Sequence, residues 1–268
     1  MALLKQKVGL TELNVPVDDA GGVASLLLPS SQDALLDMYI EHGEHGENGE
    51  HLFDGLTPYY GIIWPSAYAL CRHVGRSEIP AGSKVLELGC GVGLAGIAAA
   101  VTGAPASVVL TDLDPIAVEL AQMNAERSGV GSTCSTAILD WYDLEAWPEA
   151  GYDVVLGADI LYEPEACDAV AALLARTLRP GGAFLLADGK GRRNRTLLWE
   201  ALLGGGAFEL VGDERWMTVA DPRPDDPEEM WTGAVAQMEE RGPARTQPVV
   251  LARFRRTDGG AVRAVGLC

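Results

Sequence analysis

The sequence contains few cysteines, few basic residues and no long apolar run. Its five cysteines are scattered, odd in number and without C-x-x-C spacing, which argues against a disulfide framework and favours reduced thiols in an intracellular protein. No run of about 18 apolar residues is present, and the first residues lack the charged-then-apolar pattern of a secretion signal. We therefore expect a soluble, cytoplasmic protein that does not bind membranes.

The scarcity of basic residues bears on the partners of the protein. The chain has 38 acidic residues but only 20 basic ones, and its formal net charge is -18. A chain with this charge repels nucleic acid and attracts a basic protein or a cationic peptide. The alternative, that the acidic residues serve only to keep the protein in solution, stays open at this stage.

The most informative stretch is a glycine-rich segment at residues 84–96. It reads KVLELGCGVGLAG, a largely apolar run followed by alternate glycines at Gly89, Gly91 and Gly93 and then by residues that a helix accepts. This order predicts a strand, a glycine turn and the start of a helix. Glycine suits such a turn because it adopts backbone angles that other residues avoid and lets a ligand approach the main chain closely.

Two kinds of ligand could rest on this turn. The spacing Gly91-x-Gly93-x-x-Gly96 matches the dinucleotide fingerprint, in which a pyrophosphate lies at the helix N-terminus. Glu87, at the end of the preceding strand, argues against that ligand because a carboxylate repels a pyrophosphate. The same carboxylate favours S-adenosylmethionine (SAM), which carries an ammonium and a sulfonium and has no phosphate. A structural turn without a ligand is the remaining alternative.

Strands and helices alternate along the chain from about residue 59 onward. Helices are predicted over residues 65–74, 114–128, 164–178 and 193–203, besides the one that begins near residue 94. Strands are predicted over residues 85–88, 107–111, 134–138, 152–157, 184–187, 208–211 and 248–254. This alternation predicts an α/β fold with a doubly wound, mostly parallel seven-stranded sheet, whose ligand lies at the carboxyl ends of the strands.

The remaining segments flank or interrupt this core. Residues 1–58 are expected to form an N-terminal extension with two strands and a helix at 32–40. Residues 41–51, rich in histidine, glutamate and glycine, predict a flexible loop whose histidines lack the spacing of a standard metal site, so no metal is expected. The main domain is expected over residues 59–258, with a tail at 259–268.

An acidic insertion at residues 221–247 breaks the alternation and is expected to lie between the last two strands.

Elsewhere, acidic residues recur where predicted strands end. Glu87 and Asp112 end the first two strands, and Asp140 and Asp159 follow the third and fourth. Because the carboxyl ends of parallel strands form one rim, we expect the four side chains to converge on one crevice. For each of them, a helix cap or a surface position is the simpler alternative.

Several motifs together resemble a known family. They are Trp64-Pro65, the segment from Glu87 to Gly93, Thr111-Asp112-Leu113-Asp114, Asp140-Trp141 and Asp159-Ile160-Leu161-Tyr162. With them, residues 59–190 resemble a class I SAM-dependent methyltransferase with its Rossmann-like fold. More narrowly, they resemble the seven-β-strand protein-lysine methyltransferases, also called methyltransferase family 16. The residue before Pro115 differs from that of many members, which weakens the narrower resemblance but not the broader one.

The resemblance implies a role for each matching residue. Glu87 and the glycines Gly89, Gly91 and Gly93 would hold the methionine end of SAM, and Asp112 with Leu113 would hold its ribose. The motif Asp140-Trp141 would flank the adenine, and Trp64 would lie against the cofactor. The hallmark of the family, Asp159-x-x-Tyr162, would lie beside the substrate lysine, with Asp159 orienting the amine and Tyr162 closing the pocket against water.

Three functions remain open from the sequence. The first is methyl transfer to a lysine amine of a protein substrate, which the acidic composition predicts to be basic. The second is N- or O-methylation of a small molecule, and the third is a non-catalytic SAM-binding regulatory protein. A nucleic-acid amino-methyltransferase is disfavoured, because the (D/N/S)-P-P-(Y/F/W) motif of such enzymes is replaced here by Asp159-Ile-Leu-Tyr162.

Overall fold

A computed structural model describes residues 2–44, 58–76, 79–145, 147–190, 194–220 and 246–262. The N-terminal extension consists of α1 (Ala2–Lys7), β1 (Leu10–Pro16), β2 (Val23–Pro29) and α2 (Gln32–Glu44). The two strands were expected and pair as an antiparallel hairpin, whereas α1 was not predicted. Helix α2 extends through the first part of the predicted loop at 41–51, and the rest of that loop lies outside the described residues.

One large sheet forms the centre of the protein. Its strands are β3 (Lys84–Leu88), β4 (Ser107–Asp112), β5 (Cys134–Ile138), β6 (Tyr152–Ala158), β7 (Leu178–Gly189), β8 (Phe208–Leu210), β9 (Arg215–Ala220) and β10 (Thr246–Arg256). They lie in the order β5-β4-β3-β6-β7-β10-β8, with β9 paired to β10. The first five strands are mutually parallel, and β10 runs antiparallel to β7. The predicted doubly wound, mostly parallel sheet is confirmed.

Helices cover both faces of this sheet. They are α3 (Pro65–Val74), α4 (Leu94–Gly103), α5 (Pro115–Arg127), α6 (Ala166–Thr177) and α7 (Asn194–Leu203), and a short 3-10 helix (Tyr59–Gly61) precedes α3. Val85 of β3 packs in one hydrophobic cluster with residues of α3, α4 and α5, whereas Leu86 and Leu88 pack in a second cluster with residues of α6 and α7. Alternate residues of β3 therefore point into two cores, as a strand buried on both faces requires.

The sheet has eight strands among the described residues, one more than predicted. Strand β10 is 11 residues long, so its first part pairs with β9 and its last three residues pair with β8. Two short strands thus share one edge position. Strand β7 begins at Leu178, directly after α6, and is therefore longer than the strand predicted over residues 184–187. The predicted insertion lies largely outside the described residues.

The N-terminal hairpin packs on the helices of the main domain through a buried asparagine. Asn124 of α5 is fully buried, and its Oδ1 accepts a hydrogen bond from the Leu27 backbone N–H at 2.7 Å. Its Nδ2 donates to the carbonyl oxygens of Leu27 (3.2 Å) and Val92 (3.0 Å). Asn124 therefore connects the hairpin directly to the glycine turn, and the hairpin residues share the core cluster of α3, α4 and α5.

No helix in the described part of the chain is long and apolar enough to cross a membrane.

The pairing registers bring the carboxyl ends of β3, β4, β5 and β6 to one edge of the sheet. That edge carries the residues described next.

Candidate active site

The glycine turn joins β3 to α4 at the centre of this edge. Gly89, Gly91 and Gly93 have φ angles of 59°, 53° and 84°, the left-handed region that favours glycine. Gly96 serves a different purpose, because a Cβ atom on it would lie 2.6 Å from Oε2 of Glu87 and would also collide with Leu110. The glycines thus allow both the turn and the close approach of α4 to the sheet.

A cleft opens beside this turn, with a volume of about 1080 Å³ including its open mouth. The predicted site residues that line it are Trp64, Glu87, Gly89, Gly91, Asp112, Leu113, Asp140, Trp141, Asp159 and Tyr162. The predicted convergence of the four acidic residues is therefore observed. Gly93 does not line the cleft; it is the N-cap of α4, and its position is surrounded by Ile97, Leu110 and Ala121.

Glu87 is buried beneath the turn. Its Oε2 accepts a hydrogen bond from the Gly96 backbone N–H at 2.8 Å. Burial raises the pKa of Glu87 to about 8, although the bond from Gly96 opposes this shift. The sequence predicts a fixed negative charge at Glu87, whereas a pKa of about 8 favours the protonated carboxyl near neutral pH.

Asp112 lies at the end of β4, beside the glycine turn. Its Oδ2 accepts from the Gly91 N–H at 2.8 Å and its Oδ1 from the Asp114 N–H at 3.1 Å. Each oxygen keeps a second lone pair, so the side chain can accept further hydrogen bonds from hydroxyl groups in the cleft. Burial raises the pKa of Asp112, and the two backbone donors oppose that shift. Leu113, beside it, is half exposed and lines the cleft.

Two tryptophans form apolar walls of the cleft. Trp141 lies against the turn, with its ring 3.5 Å from the position that a Cβ on Gly89 would take. Its carbonyl accepts from Nε1 of Trp147 at 3.1 Å, and Oδ1 of Asp140 accepts from the Tyr142 N–H at 2.8 Å, which together hold this loop. Trp64, directly before α3, donates its Nε1–H to the Tyr59 carbonyl at 3.1 Å.

The segment Asp159-Ile160-Leu161-Tyr162 follows β6 at the same edge. Asp159 has a φ of 56°, in the left-handed region, and its N–H donates to the Ala187 carbonyl of the neighbouring strand at 3.1 Å. Aspartate tolerates this conformation better than most residues, and such strain clusters at functional sites. Asn194 of α7 donates its Nδ2–H to the Leu161 carbonyl at 2.9 Å and so holds the segment from the other side.

Tyr162 lies at the mouth of the cleft, where it is 47% exposed. Its ring centroid is 5.6 Å from that of Tyr59, with the planes tilted by 59°. Partial burial, followed by the nearby carboxyl of Glu163, raises the pKa of Tyr162 to about 12. The hydroxyl is therefore neutral at physiological pH, a form that can donate a hydrogen bond.

Sequence reasoning missed a buried polar cluster beneath the cleft. Tyr39 of α2 donates its hydroxyl proton to Oδ2 of Asp114 at 2.5 Å, and its hydroxyl oxygen lies 3.1 Å from that of Tyr60. Asp114 also caps α5 by accepting from the Ile116 N–H at 2.8 Å. Burial raises the pKa values of both tyrosines and of the Asp114 carboxyl. The sequence predicted a helix that starts at Asp114, but no local signal pointed to Tyr39.

The side chains that line the cleft favour a positively charged ligand. Six carboxyl groups and six aromatic rings line the cleft, and no lysine, arginine or histidine is found among the described residues that do so. Such a cleft fits a ligand that carries positive charge, hydroxyl groups and a flat ring, all of which SAM has. It does not fit a pyrophosphate, which needs positively charged or N–H-rich surroundings.

Strand order and site together define a Rossmann-like methyltransferase fold of class I. The family model described as "Lysine methyltransferase" matches residues 54–199, and the chain belongs to this family. SAM is the methyl donor that membership implies. A solved structure of a candidate RNA methyltransferase from Pyrococcus horikoshii has a TM-score of 0.51 and 14% identity, covering 72% of this chain and 82% of that one. At this identity the likeness concerns the fold alone.

Two curated relatives from Danio rerio are similar to about half of the chain. The electron transfer flavoprotein beta subunit lysine methyltransferase is 34% identical over 137 residues, which is 50% of this chain and 51% of the relative. Protein N-lysine methyltransferase METTL21A is 36% identical over 118 residues, 42% of this chain and 53% of the relative. The chain thus spans about half the length of these relatives.

Proposed function

We propose that this protein transfers a methyl group from SAM to the side-chain amine of a lysine in a protein substrate. The observation that carries the proposal is the position of Asp159 and Tyr162 in the same acidic cleft as the glycine turn and Asp112. The relatives named as protein lysine methyltransferases support the same substrate class.

Within this proposal the residues divide between the cofactor and the substrate. Glu87 and the turn at Gly89 and Gly91 would hold the methionine end of SAM, and Asp112 and Leu113 its ribose. Asp140, Trp141 and Trp64 would enclose the adenine and the rest of the cofactor. When bound, SAM would supply a methyl group on a sulfonium, and a neutral amine could accept that methyl group as the C–S bond breaks and the sulfur leaves as a neutral thioether.

Asp159 and Tyr162 would act on the amine. A lysine arrives as a cation, because its pKa is near 10.4 in water. The Asp159 carboxylate would attract and orient this ammonium, and the Tyr162 ring would exclude water once the proton has left. Because the displacement needs no further acid or base, alignment of the amine supplies most of the rate.

The acidic cleft and the net charge of -18 favour a basic protein as the substrate and disfavour nucleic acid. We place the enzyme in the cytoplasm, since four of its cysteines are free and buried and a reducing compartment suits such thiols.

Incubation of the purified protein with isotopically labelled SAM and a cell lysate tests the proposal. Mass spectrometry of the labelled proteins should find methyl groups on lysine side chains. Transfer only to small molecules would support N- or O-methylation of a metabolite instead. SAM binding in calorimetry without transfer to any acceptor would support a regulatory protein. Binding of NAD in place of SAM would reject all three of these SAM-dependent functions.

A further inference from the structure

The mouth of the cleft carries an unusual concentration of exposed aromatic surface. Tyr59, Tyr142 and Tyr162 all line the cleft, yet they remain 48%, 55% and 47% exposed. Tyr59 contacts Tyr162 on one side and Trp64 on the other, where the ring centroids lie 6.3 Å apart in an edge-to-face arrangement. Contiguous exposed aromatic residues of this kind mark binding surfaces for other molecules.

Carboxylates flank these rings. Glu163 is exposed and lines the cleft directly after Tyr162, and Asp140 is tied to the Tyr142 backbone by the 2.8 Å bond described above. After partial burial, the negative charges of Glu163, Glu165 and Asp140 raise the pKa of Tyr142. A ring face beside carboxylates is a favourable environment for a cation.

The target lysine does not account for this surface. Within the proposed function, on which this inference rests, the methylated amine is oriented by Asp159 and enclosed by Tyr162. Glu163 lies four residues beyond Asp159, a separation of at most about 14 Å along an extended chain. Tyr142 belongs to a different loop, after β5. Within the proposed function neither Glu163 nor Tyr142 acts on the amine, so both are available to a neighbouring part of the bound substrate.

We propose that the mouth formed by Tyr59, Tyr142, Tyr162 and Glu163 docks a second basic residue of the substrate protein, close to the methylated lysine. The tyrosine rings would cover the aliphatic stem of an arginine or lysine, and Glu163 would pair with its charged end. Charge complementarity selects this occupant, since the cleft lining described here has acidic side chains and no basic one. A neutral or acidic segment would leave Glu163 desolvated without a partner.

The test compares enzyme and substrate variants in a double-mutant cycle. Labelling of a lysate identifies a methylated lysine, and the basic residue nearest to it is changed to alanine in the purified substrate. Enzyme variants are Glu163→Gln and Tyr142→Ala, with Glu200→Gln as the matched control. Glu200 is an exposed glutamate on α7 that does not line the cleft, so this change alters the net charge equally.

We expect Glu163→Gln and Tyr142→Ala each to raise the KM for the intact substrate by about threefold to tenfold, which corresponds to one exposed charged or cation–π contact. The kcat at saturating substrate and the Kd for SAM should stay unchanged, and Glu200→Gln should have no effect. The substrate change should raise the KM of the wild-type enzyme to a similar extent but should add little to that of Glu163→Gln.

Two results would overturn the docking surface while the proposed function stands. One is a set of methylated lysines without a basic residue within about four positions in sequence or adjacent in the folded substrate. The other is additive effects of the enzyme and substrate changes. A lysate in which no lysine is methylated would instead reject the proposed function, and this inference with it.

Discussion

The sharpest quantitative prediction concerns Glu87, the buried acid beneath the glycine turn. Its pKa is about 8 in the folded protein, compared with 4.5 for an ordinary glutamate. The folded state therefore binds a proton that the unfolded state has released between these two values. This contribution to stability is fully present below pH 4.5 and is lost as the pH rises to 8.

The size of the effect follows from the pKa difference. Each unit of pKa corresponds to about 1.36 kcal/mol, so a rise from pH 6 to pH 8 should remove about 2–3 kcal/mol of unfolding free energy through Glu87. Glu87→Gln keeps an oxygen that can accept from the Gly96 N–H but cannot ionise. The variant should lose much less stability over the same range and should be the more stable protein at pH 8.

Urea unfolding at pH 6 and pH 8 measures this difference. Other buried carboxyls, such as Asp112 and Asp114, have raised pKa values too, so the comparison between wild type and variant isolates Glu87. Equal losses in the two proteins would refute the reasoning. A related result is expected in calorimetry, where a cationic ligand should bind more tightly to the wild type as the pH rises from 6 to 8 and should displace a proton from Glu87 mainly at the lower end of this range, whereas Glu87→Gln should show neither effect.

Three further changes test other parts of the site. Asp112→Ala should weaken SAM binding in calorimetry by about tenfold to a hundredfold, since hydrogen bonds to a charged group contribute about 1.5–3 kcal/mol. Unchanged affinity would show that Asp112 only stabilises the glycine turn and does not bind the cofactor. Tyr39→Phe removes the bond to Asp114 and should lower the free energy of urea unfolding by about 1–3 kcal/mol; an unchanged midpoint and slope would show that water replaces the hydroxyl. Gly96→Ala should cost about 1–3 kcal/mol in the same assay because its Cβ meets Leu110 and Glu87, and wild-type stability would contradict this packing.

Much of the sheet could be predicted because its signals are local. Helix α3 begins and ends where Pro65 and the apolar spacing place it, and β5 coincides with the predicted residues 134–138. The acidic residues converge because each lies at or just past the carboxyl end of a strand in the parallel part of the sheet, which is a placement that the sequence pattern predicts. Most of the predicted cleft residues were found in this way.

The features that were missed depend on contacts between distant parts of the chain. Strand β9 exists because the long strand β10 offers it an edge, which the sequence around residue 215 does not reveal. Tyr39 lies 75 residues from Asp114, so only the folded chain brings them together. Gly93 follows the pattern of its neighbours but belongs to the helix start. The raised pKa of Glu87 likewise depends on its burial in the folded protein, which the sequence does not predict.

The central claim is that Asp159 acts on a lysine amine and not on the cofactor. The most direct measurement compares the wild type with Asp159→Ala in methyl transfer from labelled SAM to lysate proteins, together with the Kd of each for SAM. The account predicts that Asp159→Ala abolishes lysine methylation while the Kd stays nearly unchanged, because the cofactor is held at other strand ends. A variant that methylates lysines at the wild-type rate, or that loses transfer only because it no longer binds SAM, would contradict it.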